Sequence, residues 1–253
     1  MPVRSATKKS NIVRVSPEDA SAVHGAQTLV QKAFLAVTNH IRVEKLKVGD
    51  RLPSEKSFAD MLGVSRAVMR EAFGALSALR LIDVGNGRVP RVRAMDGLAL
   101  ATSLDHAVNT AQITVLQVWD VRRTIELRTA VLAAEHRTDA EAEKIMYHAK
   151  AMRTHRKDFA VMAQHDFELH HAIAQASHNI LFAQVVSSFS DLMTVSLPLA
   201  WATRNTAKER TVVLERHEAI AEAIANKDPE AAMLAMDSHF DGSVQNLLNA
   251  GIK

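Results

Sequence analysis

Apolar side chains recur at four-residue steps along residues 28–43, at Leu29, Ala33, Val37 and Ile41, and this spacing predicts one amphipathic helix. Gly49 and Pro53 then interrupt the chain and predict a turn over 46–53. Two short helices follow. Ser54 is placed to cap one that ends near Leu62, Gly63-Val64 makes a tight turn, and Ser65 caps a second that runs to about Leu79. In the second, Val68, Ala72, Ala75 and Leu79 form the stripe expected to be buried. Two short helices joined across a glycine make a helix-turn-helix pattern. Residues 81–84 and 89–92, set around Gly85-Asn86-Gly87, read as two short strands joined by an Asn-Gly turn, a wing.

Beyond Gly97 every periodic signal is helical. Thr138-Asp139-Ala140-Glu141 and Thr206-Ala207-Lys208-Glu209 are capping boxes, and Asp228-Pro229 sets an N-cap before a proline at the first helical position. The expected helices are 97–110, 114–136, 139–156, 158–177, 179–203, 207–226 and 229–249. The fold class is therefore mainly α. It comprises an N-terminal winged helix-turn-helix, three helices plus a β-hairpin wing, over 28–95, followed by an all-α helical bundle over 96–253. Residues 1–27 mix Lys, Arg, Ser and Ala without period and read as a mobile basic arm.

Composition narrows this picture. The 253 residues carry few aromatics (4%), nine glycines and no cysteine, which favours helices and excludes disulfides, thiolate catalysis and sulfur-ligated zinc. No apolar run reaches the roughly 18 residues that span a bilayer, and no apolar segment follows the basic N-terminus. The expectation is a soluble cytoplasmic protein with no membrane partner. Charge is divided unevenly. Residues 1–95 hold 16 Lys and Arg against 8 Asp and Glu, a net of +8, and the remainder holds 15 against 20, a net of −5. A basic head on an acidic body suggests a module for a polyanion such as nucleic acid.

On the second helix of the pair, Arg66 and Arg70 lie one turn apart near the N-terminus, where a recognition helix meets base edges. Arginine matches guanine O6 and N7, and Ser65 with the first free N–H groups can hold a phosphate. On spacing alone the same pair also fits the solvated face of an ordinary helix. The segments Gly49-Asp50-Arg51-Leu52-Pro53-Ser54-Glu55, Leu62-Gly63-Val64-Ser65-Arg66, Arg70-Glu71-Ala72 and Leu81-Ile82 resemble the signature of the GntR family of bacterial winged-helix regulators. The resemblance covers about 28–93. It implies that Arg66 and Arg70 read bases or phosphates, that Lys56 and Ser65 support them, and that Gly87-Arg88 approaches the minor groove. It also shows two departures: Arg80 stands where the family usually has Gly, and Val89-Pro90-Arg91-Val92 lacks the family's aromatic-Val ending.

Ten of the twelve histidines fall beyond residue 100. Asp166 and His170, four apart in a helical stretch, project from one face, and His217 and His239 on later helices could close a metal site. Four N/O ligands would suit divalent zinc, nickel, manganese or iron. On spacing alone an Asp/His pair four apart also fits a surface hydrogen bond. The runs Val121-Arg122-Arg123-Thr124-Ile125-Glu126, 166–174, Ser177-His178-Asn179, His217-Glu218-Ala219-Ile220 and 228–232 with His239 are similar to the FCD effector domain of the FadR subfamily, over about 98–248. That resemblance implies metal ligands at Asp166, His170, His217 and His239, an effector pocket faced by Arg122 and Asn179, and a homodimer. His165 and His171 are expected to point away from the centre.

These readings describe a DNA-binding transcription regulator, read as a repressor, that binds a pseudo-palindromic double-stranded operator and answers to a small carboxylate at a metal-containing pocket. It is not expected to be an enzyme. The alternatives are the same regulator with a purely structural metal and no carboxylate effector, and a metal-dependent hydrolase or lyase using the same four ligands.

Overall fold

The computed structural model describes residues 28–85, 88–204, 206–249 and 251. The expected basic arm at 1–27 lies outside them, as do Asn86 and Gly87. The chain divides into two units, one ending at Ala94 and the other beginning at Met95.

In the first unit Thr28 closes a capping box with Gln31 and starts α1 (Leu29–Val43). Ser54 accepts from the Ser57 N–H to start α2 (Glu55–Leu62), which Gly63 ends in the left-handed conformation at φ 65°. Ser65 accepts from the Val68 N–H to start α3 (Arg66–Ala78). Ala33 and Val37 of α1, Phe58 and Ala59 of α2, and Met69, Ala72, Phe73 and Leu76 of α3 form one core with Leu52 and Ile82. The buried arc of α3 therefore sits one step round from the expected stripe. Met69 and Phe73 carry more apolar surface than Val68 and Ala75 and take the core, Phe73 meeting Phe58 edge-on at 5.8 Å, while Leu79 is left 53% exposed.

The wing also differs from expectation. Its strands are only two residues each, β1 (Ile82–Asp83) and β2 (Arg91–Val92), paired antiparallel with Ile82 opposite Val92 and Asp83 opposite Arg91. Pairing ends at Asp83 opposite Arg91, so the connection is longer than a two-residue turn. The far edge of β2 is used instead by the segment expected to be only a turn. Gly49 N–H donates to Val92 O at 2.9 Å, Val92 N–H to Asp50 O at 3.0 Å and Leu52 N–H to Pro90 O at 2.8 Å. Arg80, where the family pattern has Gly, takes φ 59°.

The second unit contains α4 (Leu98–Asn109), α5 (Val115–His136), α6 (Asp139–Thr154), α7 (Phe159–Ala176), α8 (Ile180–Ser187), α9 (Ser190–Ala202), α10 (Ala207–Ala225) and α11 (Pro229–Asn249). The capping boxes at Thr138 and Thr206 form as expected, another forms at Thr114, and Asp228 accepts from the Ala231 N–H at 2.9 Å. The single helix expected over 179–203 is two. Ser188 ends α8 with its hydroxyl turned back onto the Val185 carbonyl, and Phe189, Leu192 and Met193 then face the core. Gly97 precedes α4 where that helix meets α8: a Cβ there would stand 2.4 Å from the Gln184 carbonyl oxygen and 3.0 Å from the Ser188 nitrogen. The core gathers the inner faces of α5, α6, α7, α10 and α11, with Trp119 edge-on to Phe240 at 5.7 Å. No helix among the described residues is long and apolar enough to cross a membrane.

Candidate metal centre and nucleic-acid interface

Within that apolar core four ionisable side chains occupy positions where the helical period calls for hydrophobic ones. On α7 the inward positions are Met162, Asp166, Leu169, His170 and Ile173; on α10 His217 lies between Leu214 and Ile220; on α11 His239 lies between Met236 and Ser243. All four are buried. The ligating nitrogens of His170, His217 and His239 lie within 4.8 Å of one another. Asp166 Oδ1 lies 2.9 Å from His217 Nε2.

The tautomers follow from the outer contacts. His217 Nδ1 lies 2.7 Å from the Val213 carbonyl, which can only accept, so Nδ1 carries a proton and Nε2 is turned toward Asp166. His170 Nδ1 is held by Glu126, which also pairs with Arg122. The His170 Nε2 is buried without a hydrogen-bond partner, and the His217 Nε2 faces only the Asp166 carboxylate. A neutral ring would set a lone pair against the carboxylate at 2.9 Å, and either a proton on Nε2 or a cation shared by the two groups relieves that contact. Burial alone would raise the Asp166 carboxyl, but His217, His170 and Arg122 outweigh it and hold it well below the usual carboxylate range. Glu126 is lowered too, against its own burial, by Arg122 and His170. His239 is pushed well below the ordinary imidazole value, by burial first and then by His217, His170, Arg122 and Arg216 around it, which favours the neutral ring that a metal ligand requires. Two oriented imidazoles, a neutral third and an ionised carboxylate fit a divalent ion, and the carbonyl and carboxylate behind the rings are the outer contacts such a site uses.

A cavity of about 20 Å³ opens at this cluster, and Asp166, His217, His239, Arg122, Trp201 and Arg204 are among the residues that line it. The Arg122 guanidinium is fixed by Glu126 and the Met193 sulfur and lies 5.0 Å over the Trp119 ring and 5.5 Å over Phe240. Arg204 lies 5.3 Å over Trp201, and burial lowers it to about 10 against the pull of Asp166.

In the first unit Arg66 and Arg70 are exposed on α3, one turn apart at its N-terminal end. Lys56 on α2 and Arg88 in the wing loop are exposed as well. Ser65 is exposed, and its hydroxyl accepts from Val68, leaving its own proton to donate.

Comparison with known proteins decides what this pairing of units is. The pattern for bacterial regulatory proteins of the gntR family matches residues 29–92, and that for the FCD domain matches 117–242. The HTH-type transcriptional regulator LutR of Bacillus subtilis is 31% identical over 220 residues, spanning 81% of this chain and 100% of LutR. The chain belongs to the GntR family. This GntR-family protein, with its FCD domain, falls in the FadR-like subfamily of DNA-binding transcription regulators, which are not enzymes. The Glc operon transcriptional activator of Escherichia coli is 30% identical, covering 80% of this chain and 82% of that protein. The transcriptional repressor NanR of Citrobacter rodentium is 28% identical, covering 79% and 78%. The solved Streptococcus agalactiae GntR shares the fold with a TM-score of 0.60 at 22% identity, over 84% of this chain and 97% of that one.

In this GntR-family chain the structure brings Asp166, His170, His217, His239 and Arg122 to one place. It does not bring Asn179 there. Asn179 is exposed, and its side chain caps α8 by accepting from the Leu181 N–H at 3.1 Å, a local bond that turns it from the cavity. His165 pairs with His148 at 3.1 Å, and His171 stacks on Phe167. Gly87 lies outside the described residues. Arg204 is a site residue that the sequence does not signal, because an arginine just past a helix end has no periodic pattern; Trp201 one turn earlier is the nearest hint.

Proposed function

We propose that this GntR-family regulator binds a pseudo-palindromic operator as a cytoplasmic homodimer, and that a small carboxylate at a divalent ion sets its operator affinity, in the repressor sense. Asp166, His170, His217 and His239 would hold the ion, which could be zinc, nickel, manganese or iron. When bound, the ion supplies a Lewis-acid anchor for an anion. Arg122, fixed at the cavity wall, offers the rest of its guanidinium edge to the same anion. In the head, Arg66 and Arg70 meet base edges or phosphates, Lys56 and Ser65 support them, and Gly87-Arg88 approaches the minor groove. Effector and operator favour different arrangements of the dimer, so each alters the affinity of the other by the same factor.

The reading is carried by one observation: three buried imidazoles with nitrogens within 4.8 Å of one another converge beside the Asp166 carboxylate inside an apolar core, and the His170 Nε2 there has no hydrogen-bond partner. The smallness of the cavity favours a second reading, in which the ion only braces the bundle. Elemental analysis of protein reloaded with metal tests the site. About one divalent ion per chain is expected for the wild type and a much lower content for His217→Ala; a wild type that takes up no ion would overturn the proposal.

A further inference from the structure

A cavity of about 20 Å³ has room for roughly one water-sized group. Any organic acid whose carboxylate reaches Asp166, His217, His239 and Arg122 must therefore leave the rest of itself elsewhere. Its wall indicates where. Phe159, Ala163 and Leu197 line this inner chamber and equally line a second cleft of about 390 Å³ between α7 and α9. The two spaces share these three side chains as a common wall, and none of the three is charged. The outer cleft is within the size range of small-ligand sites. Its remaining walls are largely apolar, with Phe167, Met193 and Pro198 prominent, and its polar groups, Gln164, Ser190 and Thr194, are neutral.

Polarity thus changes sharply along one path. The inner end carries two guanidiniums and the histidine–aspartate cluster; the outer end carries no charged group at all. A ligand matched to both ends is amphiphilic. α9 holds Leu197 and Pro198, and the proline removes one N–H from that helix, so the Thr194 carbonyl lacks its usual helical donor. This is the element best suited to shift a side chain at the passage without breaking the remaining bundle.

We propose that the effector is a monocarboxylic acid with an apolar tail of several carbons, its head in the inner chamber and its tail in the α7–α9 cleft, passing between Phe159, Ala163 and Leu197. The proposal rests on the acid-binding reading above and adds the class of acid. A short polyhydroxy acid would leave its hydroxyls against an uncharged, mostly apolar wall, where each loses hydrogen bonds to water. An alkyl or aryl tail there gains about threefold to fourfold in affinity for each methylene fully buried.

The test uses full-length, metal-loaded protein and the straight-chain acids acetate, butanoate, hexanoate and octanoate, with glycerate as the hydroxylated probe, followed by calorimetry and tryptophan fluorescence. Affinity is expected to rise from acetate to hexanoate by about tenfold to a hundredfold and to exceed that for glycerate. Ala163→Leu narrows the passage, and Phe167→Asp places a charge in the outer cleft; in either variant the hexanoate-to-acetate affinity ratio is expected to fall toward one. Should one variant fail to fold, the wild-type series and the other variant still decide. A flat series, or glycerate binding more tightly than hexanoate, overturns the amphiphilic effector while leaving an acid at the metal intact. If no acid binds, acetate included, the acid-binding reading itself fails and this proposal with it.

Discussion

At the scale of single residues, the chemistry of the site lies in what stands behind the histidines. Val213 O fixes the His217 tautomer and Glu126 fixes that of His170, so each ring aims Nε2 into the same space. Glu126→Gln keeps the shape but loses the charge that holds both His170 and Arg122. A fall of about tenfold to a hundredfold in metal affinity is expected, read by competition with a chelator of known strength. An unchanged affinity would make Glu126 a packing partner only. In the head, Arg66→Ala is expected to cost about 1–3 kcal/mol at the specific operator and less on random DNA, measured by titration at fixed salt. Equal losses would leave Arg66 a phosphate contact. The pair Asp166/His170 is legible in the sequence because four-residue spacing fixes a shared helix face, and His217 and His239 because their resemblance to the family pattern is local. Arg204 and the true position of Asn179 are not legible there. Arg204 reaches the cavity through tertiary packing, and a local backbone bond takes the Asn179 side chain.

At the scale of elements, polar end signals are more readable than apolar faces. Ser54, Ser65, Thr138, Thr206 and Asp228 all cap the helices they are expected to cap, because a cap is a contact over three residues. The face of α3 departs from its expected stripe by one step because periodicity weighs Val68 and Met69 alike, whereas the core selects for size. The break between α8 and α9 carries no glycine or proline at the joint and leaves no mark in the sequence for that reason. Gly97 shows how close these elements come. Gly97→Ala puts a methyl group on the Gln184 carbonyl and is expected to destabilise the second unit by about 1–3 kcal/mol, lowering its thermal midpoint by several degrees. A midpoint equal to that of the wild type would mean that α4 shifts freely on α8.

At the scale of the whole molecule, two units of different character share one chain. The first presents exposed cations on a capped helix; the second buries a cluster of three histidines and an aspartate inside its apolar core. The charge asymmetry between +8 and −5 marks this division in the amino-acid sequence itself. The volume of the inner cavity has no such mark, since volume is set by how six helices close together. Regulation by a metal-anchored acid requires coupling between the two units, and operator affinity measures it. Titrations of the operator with metal-loaded and chelator-stripped protein, each with and without a saturating small carboxylate, are the direct test. The account predicts that the acid changes operator affinity by about 5-fold to 150-fold in loaded protein, and that the change largely disappears in stripped protein and in His239→Ala. An equal response in stripped protein, or a response to a neutral ligand with none to any acid, would contradict it.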